Sequence, residues 1–331
     1  MNIYRCTHLL KDSYGRLIGF RLVNNIETIN ITENDLYNKM NSCDITVSNL
    51  ELTKYNTISY NKNELNEDLF PSEQLRITDT KDNELNKLLN KATILGMSVE
   101  VITTLYESKY YIISGSNNNI VYIPDDVTHI NKLSSLTGYV TIIGGKGLFS
   151  LSDVFKNCEF EILDLRKLNT RNVSDMTGAF SYSTIKQIVF GEDWYTGNVV
   201  SMTSMFEHCE TSSLDLSTWD VSRVLDMTRM FLSFKAKTLN LKWNNTVKLT
   251  GIRTMFWNCD VEKLDLTHIN VGRIKDFSGV FTGCKAKQIN INGWKTNEER
   301  VYYTKLFMNC NAELICDNTE LLKQYKDRII T

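Results

Sequence analysis

At 331 residues, 42% hydrophobic and 10% aromatic, the chain has material for two domains with buried cores, which excludes a disordered polypeptide. Lys and Arg number 37 against 39 Asp and Glu, a net charge of -2, and the balance holds in each part: 11 against 13 in residues 1–96 and 26 against 26 beyond. Bulk charge therefore makes neither part a basic nucleic-acid module.

Residues 1–8 lack the basic segment, apolar core and small-residue cleavage site of a secretory signal, and no apolar run approaches the roughly 18 residues of a membrane span. The expectation is a cytoplasmic protein without a membrane partner. Of the eight cysteines none forms a CxxC pair, and a cytosolic chain of this size needs no staples, so they read as free thiols.

Residues 3–10 and 16–23 flank Lys11-Asp12-Ser13-Tyr14-Gly15 and predict a hairpin. Thr32-Glu33-Asn34-Asp35 opens a short helix carrying Leu36 and Met40, and residues 45–52 read as another strand. Residues 1–60 thus form a small α+β domain. Residues 61–68 are a polar linker, and residues 82–96, with Leu85, Leu88, Leu89 and Ile94, a joining helix, so that 61–96 connects the two parts. Residues 97–147 are expected to be the amino-terminal cap of a repeat array. Tyr110-Tyr111-Ile112-Ile113 and Ile120-Val121-Tyr122-Ile123 make a hairpin around a Ser-Gly-Asn turn, and Val140-Thr141-Ile142-Ile143 is a first, imperfect coil.

The repeat itself fills residues 148–316. Phe155, Phe180, Phe206, Phe231, Phe256, Phe281 and Phe307 recur every 25 or 26 residues, and Cys158, Cys209, Cys259, Cys284 and Cys310 stand three residues after five of them. Eight residues after the first six anchors begins an apolar-x-apolar triplet, such as Leu214-Asp215-Leu216 or Leu264-Asp265-Leu266; the seventh, Leu314-Ile315-Cys316, is one residue short. Ahead of each anchor the apolar spacing becomes helical, as in Val224, Met227, Met230 and Phe231. Each unit is therefore expected to be one strand plus one short helix, with Asp175, Asp226 and Asp276 capping the helices. Such units cannot close a core alone, so about seven must stack as an α/β solenoid with a parallel sheet. Asn318 and Thr319 open an amphipathic helix over residues 317–331 that caps the far end.

In each triplet the middle residue points outward with its neighbours two positions away. The strand face so defined is the expected binding surface, with Asp164, Arg166, Gln187, Asp215, Asn240, Lys242, Lys263, Asp265 and Asn290 as its candidate contacts. A second row, Leu168, Trp194, Trp219, Trp243, Ile269 and Trp294, alternates Trp with aliphatic residues, which suits a packed corner better than a platform for bases or sugars. The cysteine row likewise reads as small buried side chains and not as metal ligands.

The unit Leu214-Asp215-Leu216-Ser217-Thr218-Trp219-Asp220-Val221-Ser222-Arg223-Val224-Leu225-Asp226-Met227-Thr228-Arg229-Met230-Phe231 resembles the BspA-like leucine-rich repeats of bacterial surface proteins, and the likeness extends over roughly residues 145–316. It implies a right-handed leucine-rich-repeat solenoid and a role in adhesion or protein binding, with no catalytic residues to carry over. In composition, residues 1–60 resemble small domains of uncharacterised proteins on phages and other mobile elements of AT-rich bacteria.

Walker, Rossmann, HExxH and GxSxG patterns are absent, and His8, His129, His208 and His268 are scattered. The sequence therefore points to a non-enzymatic, cofactor-free binding protein whose partner is another protein or a ribonucleoprotein complex and not a small-molecule substrate. Its sharpest form is an anti-CRISPR-like inhibitor encoded by a phage or mobile element, blocking a host defence complex by occlusion. A surface adhesin and a nucleic-acid-binding protein are the alternatives.

Overall fold

The computed structural model describes residues 2–11, 17–23, 28–31, 45–48, 83–104, 108–243 and 245–327, the first four segments by their strand pairing alone. The helix expected near Leu36 and the linker at 61–68 lie outside the described residues. The chain divides into two units, Met1–Val99 and Glu100–Thr331.

In the first unit β1 (Asn2–Lys11), β2 (Leu17–Val23), β3 (Thr28–Ile31) and β4 (Ile45–Ser48) form a sheet of order β3-β2-β1-β4. The expected hairpin is β1 with β2, antiparallel with Leu9 opposite Phe20, and β4 runs parallel to β1. Sequence reading did not anticipate β3. The joining helix is α1 (Asn83–Ile94), with Leu85, Leu89 and Ala92 buried along one face, the i, i+4, i+7 spacing of an amphipathic helix.

Next in the chain, β5 (Ser98–Thr103), β6 (Lys109–Ser114), β7 (Asn118–Ile123), β8 (Thr137–Gly144), β9 (Glu159–Leu168) and β10 (Thr184–Phe190) make one six-stranded sheet. The β6–β7 hairpin pairs Ile113 with Ile120, and from β7 onward all pairing is parallel. Three-residue strands continue the series: β11 (Ser213–Asp215), β12 (Thr238–Asn240), β13 (Lys263–Asp265), β14 (Gln288–Asn290) and β15 (Glu313–Ile315). Leu214 lies beside Leu239, Leu264 beside Ile289, and Ile289 beside Leu314. Isolated bridges such as Thr184 with Glu210 and Lys235 with Asp260 bind these short sheets together. From β8 to β15 the array has about eight turns.

One expectation is corrected. The coils are not strand-helix units: among the described residues the α-helices are α1 and α2 (Thr319–Lys326), neither inside a coil, so the repeat region is a mostly-sheet parallel solenoid and not an α/β one. The reason lies in where the backbone N–H groups go. An α-helix sends each to the carbonyl four residues back. Here the N–H groups of Val154, Ala179, Met205, Met230, Met255, Val280 and Leu306 go three residues back, while the N–H of the following Phe, in every coil but the last, goes to the next coil at 2.8–2.9 Å. The residues two before and two after each anchor are left-handed in all seven coils, from Asp153 (φ 57°) and Asn157 (φ 58°) to Lys305 (φ 55°) and Asn309 (φ 56°). A positive φ at the third position is what a type II turn requires. Consecutive turns thus place residues inward at helical intervals while lending half of their donors to a ladder between coils.

Inward rows stack in register. The seven phenylalanine rings form a continuous pile with centroids 5.0–5.8 Å apart and planes within 14°. Tyr325 of α2 closes it, edge-on to Phe307 at 5.4 Å, and its hydroxyl donates to the Ala312 carbonyl. The expected capping helix is thereby α2, with Asn318 Oδ1 accepting from the N–H groups of Glu320 and Leu321.

Candidate functional site

All nine candidate residues of the strand face lie at the surface. Arg166, Gln187, Asp215, Lys242, Lys263 and Asp265 are exposed, and Asp164, Asn240 and Asn290 are half-buried. Register brings Asp164 beside Val189, Asp215 beside Asn240 and Asp265 beside Asn290. Leu214 and Leu216, on either side of Asp215, are buried, so the alternation read from the triplets holds.

Much of the central row has a local task that the sequence reading missed. Asp164 accepts the N–H of Arg166 at 3.1 Å, Asp215 that of Ser217 at 2.9 Å, Asp265 that of Thr267 at 3.2 Å and Asn290 that of Asn292 at 3.2 Å. These are Asx turns, which bend the chain off the strand; Asp and Asn serve there because a short side-chain oxygen mimics a backbone carbonyl. The signal was that five of the six central positions, all but Val189, are Asp or Asn. Asp175, Asp226 and Asp276, read as helix caps, do the same for Thr177, Thr228 and Ser278.

The electrostatics follow from these contacts. Asp164 also takes a two-point bond from Arg166, Nε to Oδ1 at 3.0 Å and Nη2 to Oδ2 at 2.7 Å, which draws its carboxyl below the usual range. Asp215 is lowered too: partial burial acts against it, but hydrogen bonds from Ser217 and Asn240 and the charge of Lys242 outweigh that. Gln187, Lys242 and Lys263 take no part in these turns. They are the side chains of the set most available to a partner.

At the first rungs of this face Asn117, Asn118, Tyr139, Thr141, Asp164 and Arg166 line an open cleft of about 540 Å³, with Tyr139 44% exposed. The Trp corner is buried, as expected: Trp243 Nε1 donates to the Leu216 carbonyl and Trp294 Nε1 to that of Leu266, both at 2.9 Å. Cys158, Cys209, Cys259, Cys284 and Cys310 are buried free thiols. Burial pushes Cys158 up to about 12 and raises Cys209 and Cys259 as well, so these sulfurs lack the thiolate character of a nucleophile or ligand.

A network that sequence reasoning passed over spans three coils on the turn side. The buried carboxylate of Glu207 accepts from Tyr182 Oη at 3.0 Å and from Arg229 Nη2 at 2.6 Å, and His208 stacks on Tyr182 at 4.7 Å. Burial works against the charge of Glu207, yet the bonds from Ser204, Arg229 and Tyr182 outweigh it and its carboxyl is lowered. A carboxylate held ionised between an arginine and a phenol is a cross-coil staple, not a poised acid. Among the described residues no three His, Cys, Asp or Glu side chains are grouped to hold a metal ion, and no helix is long and apolar enough to cross a membrane.

Stacked parallel coils with an apolar aromatic spine define a parallel β-solenoid. The chain belongs to the family described as "Mycoplasma protein of unknown function, DUF285", related to BspA-like repeats, which it matches over residues 149–269 and 233–314, just over half its length. The match does not extend to residues 1–148. No curated protein and no solved structure matches the chain.

Proposed function

We propose that the chain is a non-catalytic binding scaffold that holds a protein or ribonucleoprotein partner on the outer surface of its coil array, principally through the strand face. One observation carries this reading. Inward rows repeat the same apolar and aromatic residues from coil to coil, whereas outward strand positions change: Gln187, Ser213, Thr238, Lys263 and Gln288 occupy one row. A stack fixed by its interior and free on its exterior is suited to presenting a shaped wall.

The test uses the full-length protein as bait in host extract. A partner captured by the wild type should be weakened at least about tenfold, some 1.4 kcal/mol, by Gln187→Ala combined with Lys242→Glu and Lys263→Glu, with the melting temperature unchanged. Equal capture by this variant would move the interface off the strand face. In its narrowest form the partner is a host defence complex such as a CRISPR effector, occluded by an inhibitor from a mobile element. That form requires a defence component in the captured material and protection of infecting phage, and failure of both would end it.

A further inference from the structure

Stacking at a fixed period sets equivalent side chains directly above one another, so a row of like charges repels itself. On the side leading into the strands the sequence avoids this by alternation. Lys186 meets Glu161 at 2.6 Å, Lys235 meets Glu210 at 2.8 Å, Lys285 meets Asp260 at 3.5 Å and Lys287 meets Glu262 at 3.3 Å.

On the side trailing from the strands, past the Trp corner, it does not. Val224, Leu249 and Ile274 each donate their N–H three residues back, to Val221, Thr246 and Val271. Arg223, Lys248 and Arg273 therefore hold the same third position of the same turn in three consecutive coils, and all three are exposed. Their backbones are about 4.8 Å apart, the spacing of neighbouring strands. Arg223 donates to Asn198 Oδ1 at 2.8 Å, and among the described residues none of the three cations pairs with a carboxylate.

Two further features lie beside this row. Val200, Leu225 and Val247 are 38%, 42% and 52% exposed. An open cleft of about 380 Å³ adjoins the turn at its Lys248 and Arg273 levels, lined by Val247, His268, Asn270, Gly272 and Lys295 among others.

We propose that this strip receives an extended acidic segment of a partner polypeptide, in which carboxylates alternate with apolar side chains. The carboxylates supply the counter-ions that the row lacks, the apolar side chains cover Leu225 and Val247, and the segment enters the cleft beside Lys295. This rests on the scaffold reading and adds the chemistry of the partner. A phosphodiester chain fits less well. It carries charge on every unit and has no apolar groups to cover Leu225 and Val247.

The test is fluorescence anisotropy on the full-length protein with three labelled probes: a short peptide mixing Glu and Leu, the same peptide with Gln for Glu, and oligothymidylate of matching charge. The Glu-Leu peptide should bind, and the other two should not. K248E should weaken it at least about tenfold and raise the melting temperature, because a carboxylate then separates two guanidinium groups as on the leading side. Unchanged peptide binding by K248E, no peptide binding by the wild type, or preferential binding of oligothymidylate would overturn the proposal. Capture from extract separates the two readings. A native partner retained by K248E but lost by the strand-face variant would sink the acidic segment and leave the scaffold standing; no partner for the wild type would remove both.

Discussion

Phe231 sits between Phe206 and Phe256, with ring centroids 5.7 and 5.5 Å away and planes tilted by 2° and 9°. Its neighbours cannot close over a void, because backbone bonds to the adjacent coils hold each ring at its own level. Phe231→Ala should therefore cost about 3–5 kcal/mol, read as a fall in the urea midpoint at unchanged slope. The left-handed positions offer the opposite sign. Thr254 is β-branched and holds φ at 53°, where only glycine is unstrained. Thr254→Gly should stabilise by about 1 kcal/mol, the relief of strain exceeding the entropy that glycine adds to the unfolded chain. Gly283→Ala should do the reverse, since a Cβ there would stand 2.1 Å from Asn258 Oδ1 at a φ of 62°. Thermal melts of the pair decide whether strain at these sites is real.

At the scale of the element, the strands of the repeat were legible and the segments between them were not. The triplet Leu214-Asp215-Leu216 announced β11 and its outward residue because a period of two has one structural meaning. The spacing of Val224, Met227, Met230 and Phe231 has two, since a helix and a run of turns with alternating handedness both return side chains inward at those intervals. The discriminating residues were Asp153, Asn157, Gly178, Asn258, Gly279, Gly283 and Asn309, types that tolerate a positive φ and recur on both sides of the anchor; a helix would want one at its end only. The candidate surface was legible as exposure and not as role, because a recurring outward Asp or Asn reads equally as a solvating residue, a contact residue or the acceptor of an Asx turn. Glu207 shows what such cross-coil contacts contribute. Its folded pKa lies below the ordinary value of 4.5, so its stabilisation is complete above that value and is lost as pH falls through the folded one. Glu207→Gln should accordingly be less stable than the wild type at neutral pH, with a shallower decline in acid, and the two urea-midpoint curves should converge once the pH has fallen through the lowered folded pKa of Glu207. Parallel curves would show that the carboxylate is not held ionised by Tyr182 and Arg229.

For the molecule as a whole, stability propagates from each coil to its neighbours and no further. Residues 236–260 span one period, and removing them joins Lys235 to Val261, which is buried like the Ala236 it replaces. Phe281 then falls where Phe256 stood, over Phe231, and Cys284 falls where Cys259 stood, so every inward row is kept. The shortened chain should fold with one cooperative transition and a smaller denaturant slope, as less surface is buried. It should also be less stable than loss of one coil alone implies, because Lys235 would face Lys285 with Asp260 gone from between them. Removing residues 236–255 instead breaks the period, brings no phenylalanine over Phe231 and should not yield a folded protein. The same in-register deletion takes Lys248 from the trailing row and brings Arg273 next to Arg223, so binding of an acidic peptide should weaken without vanishing. Folding of both deletions alike would mean that register does not hold the array together, and collapse of both would mean that the coils act as one indivisible core.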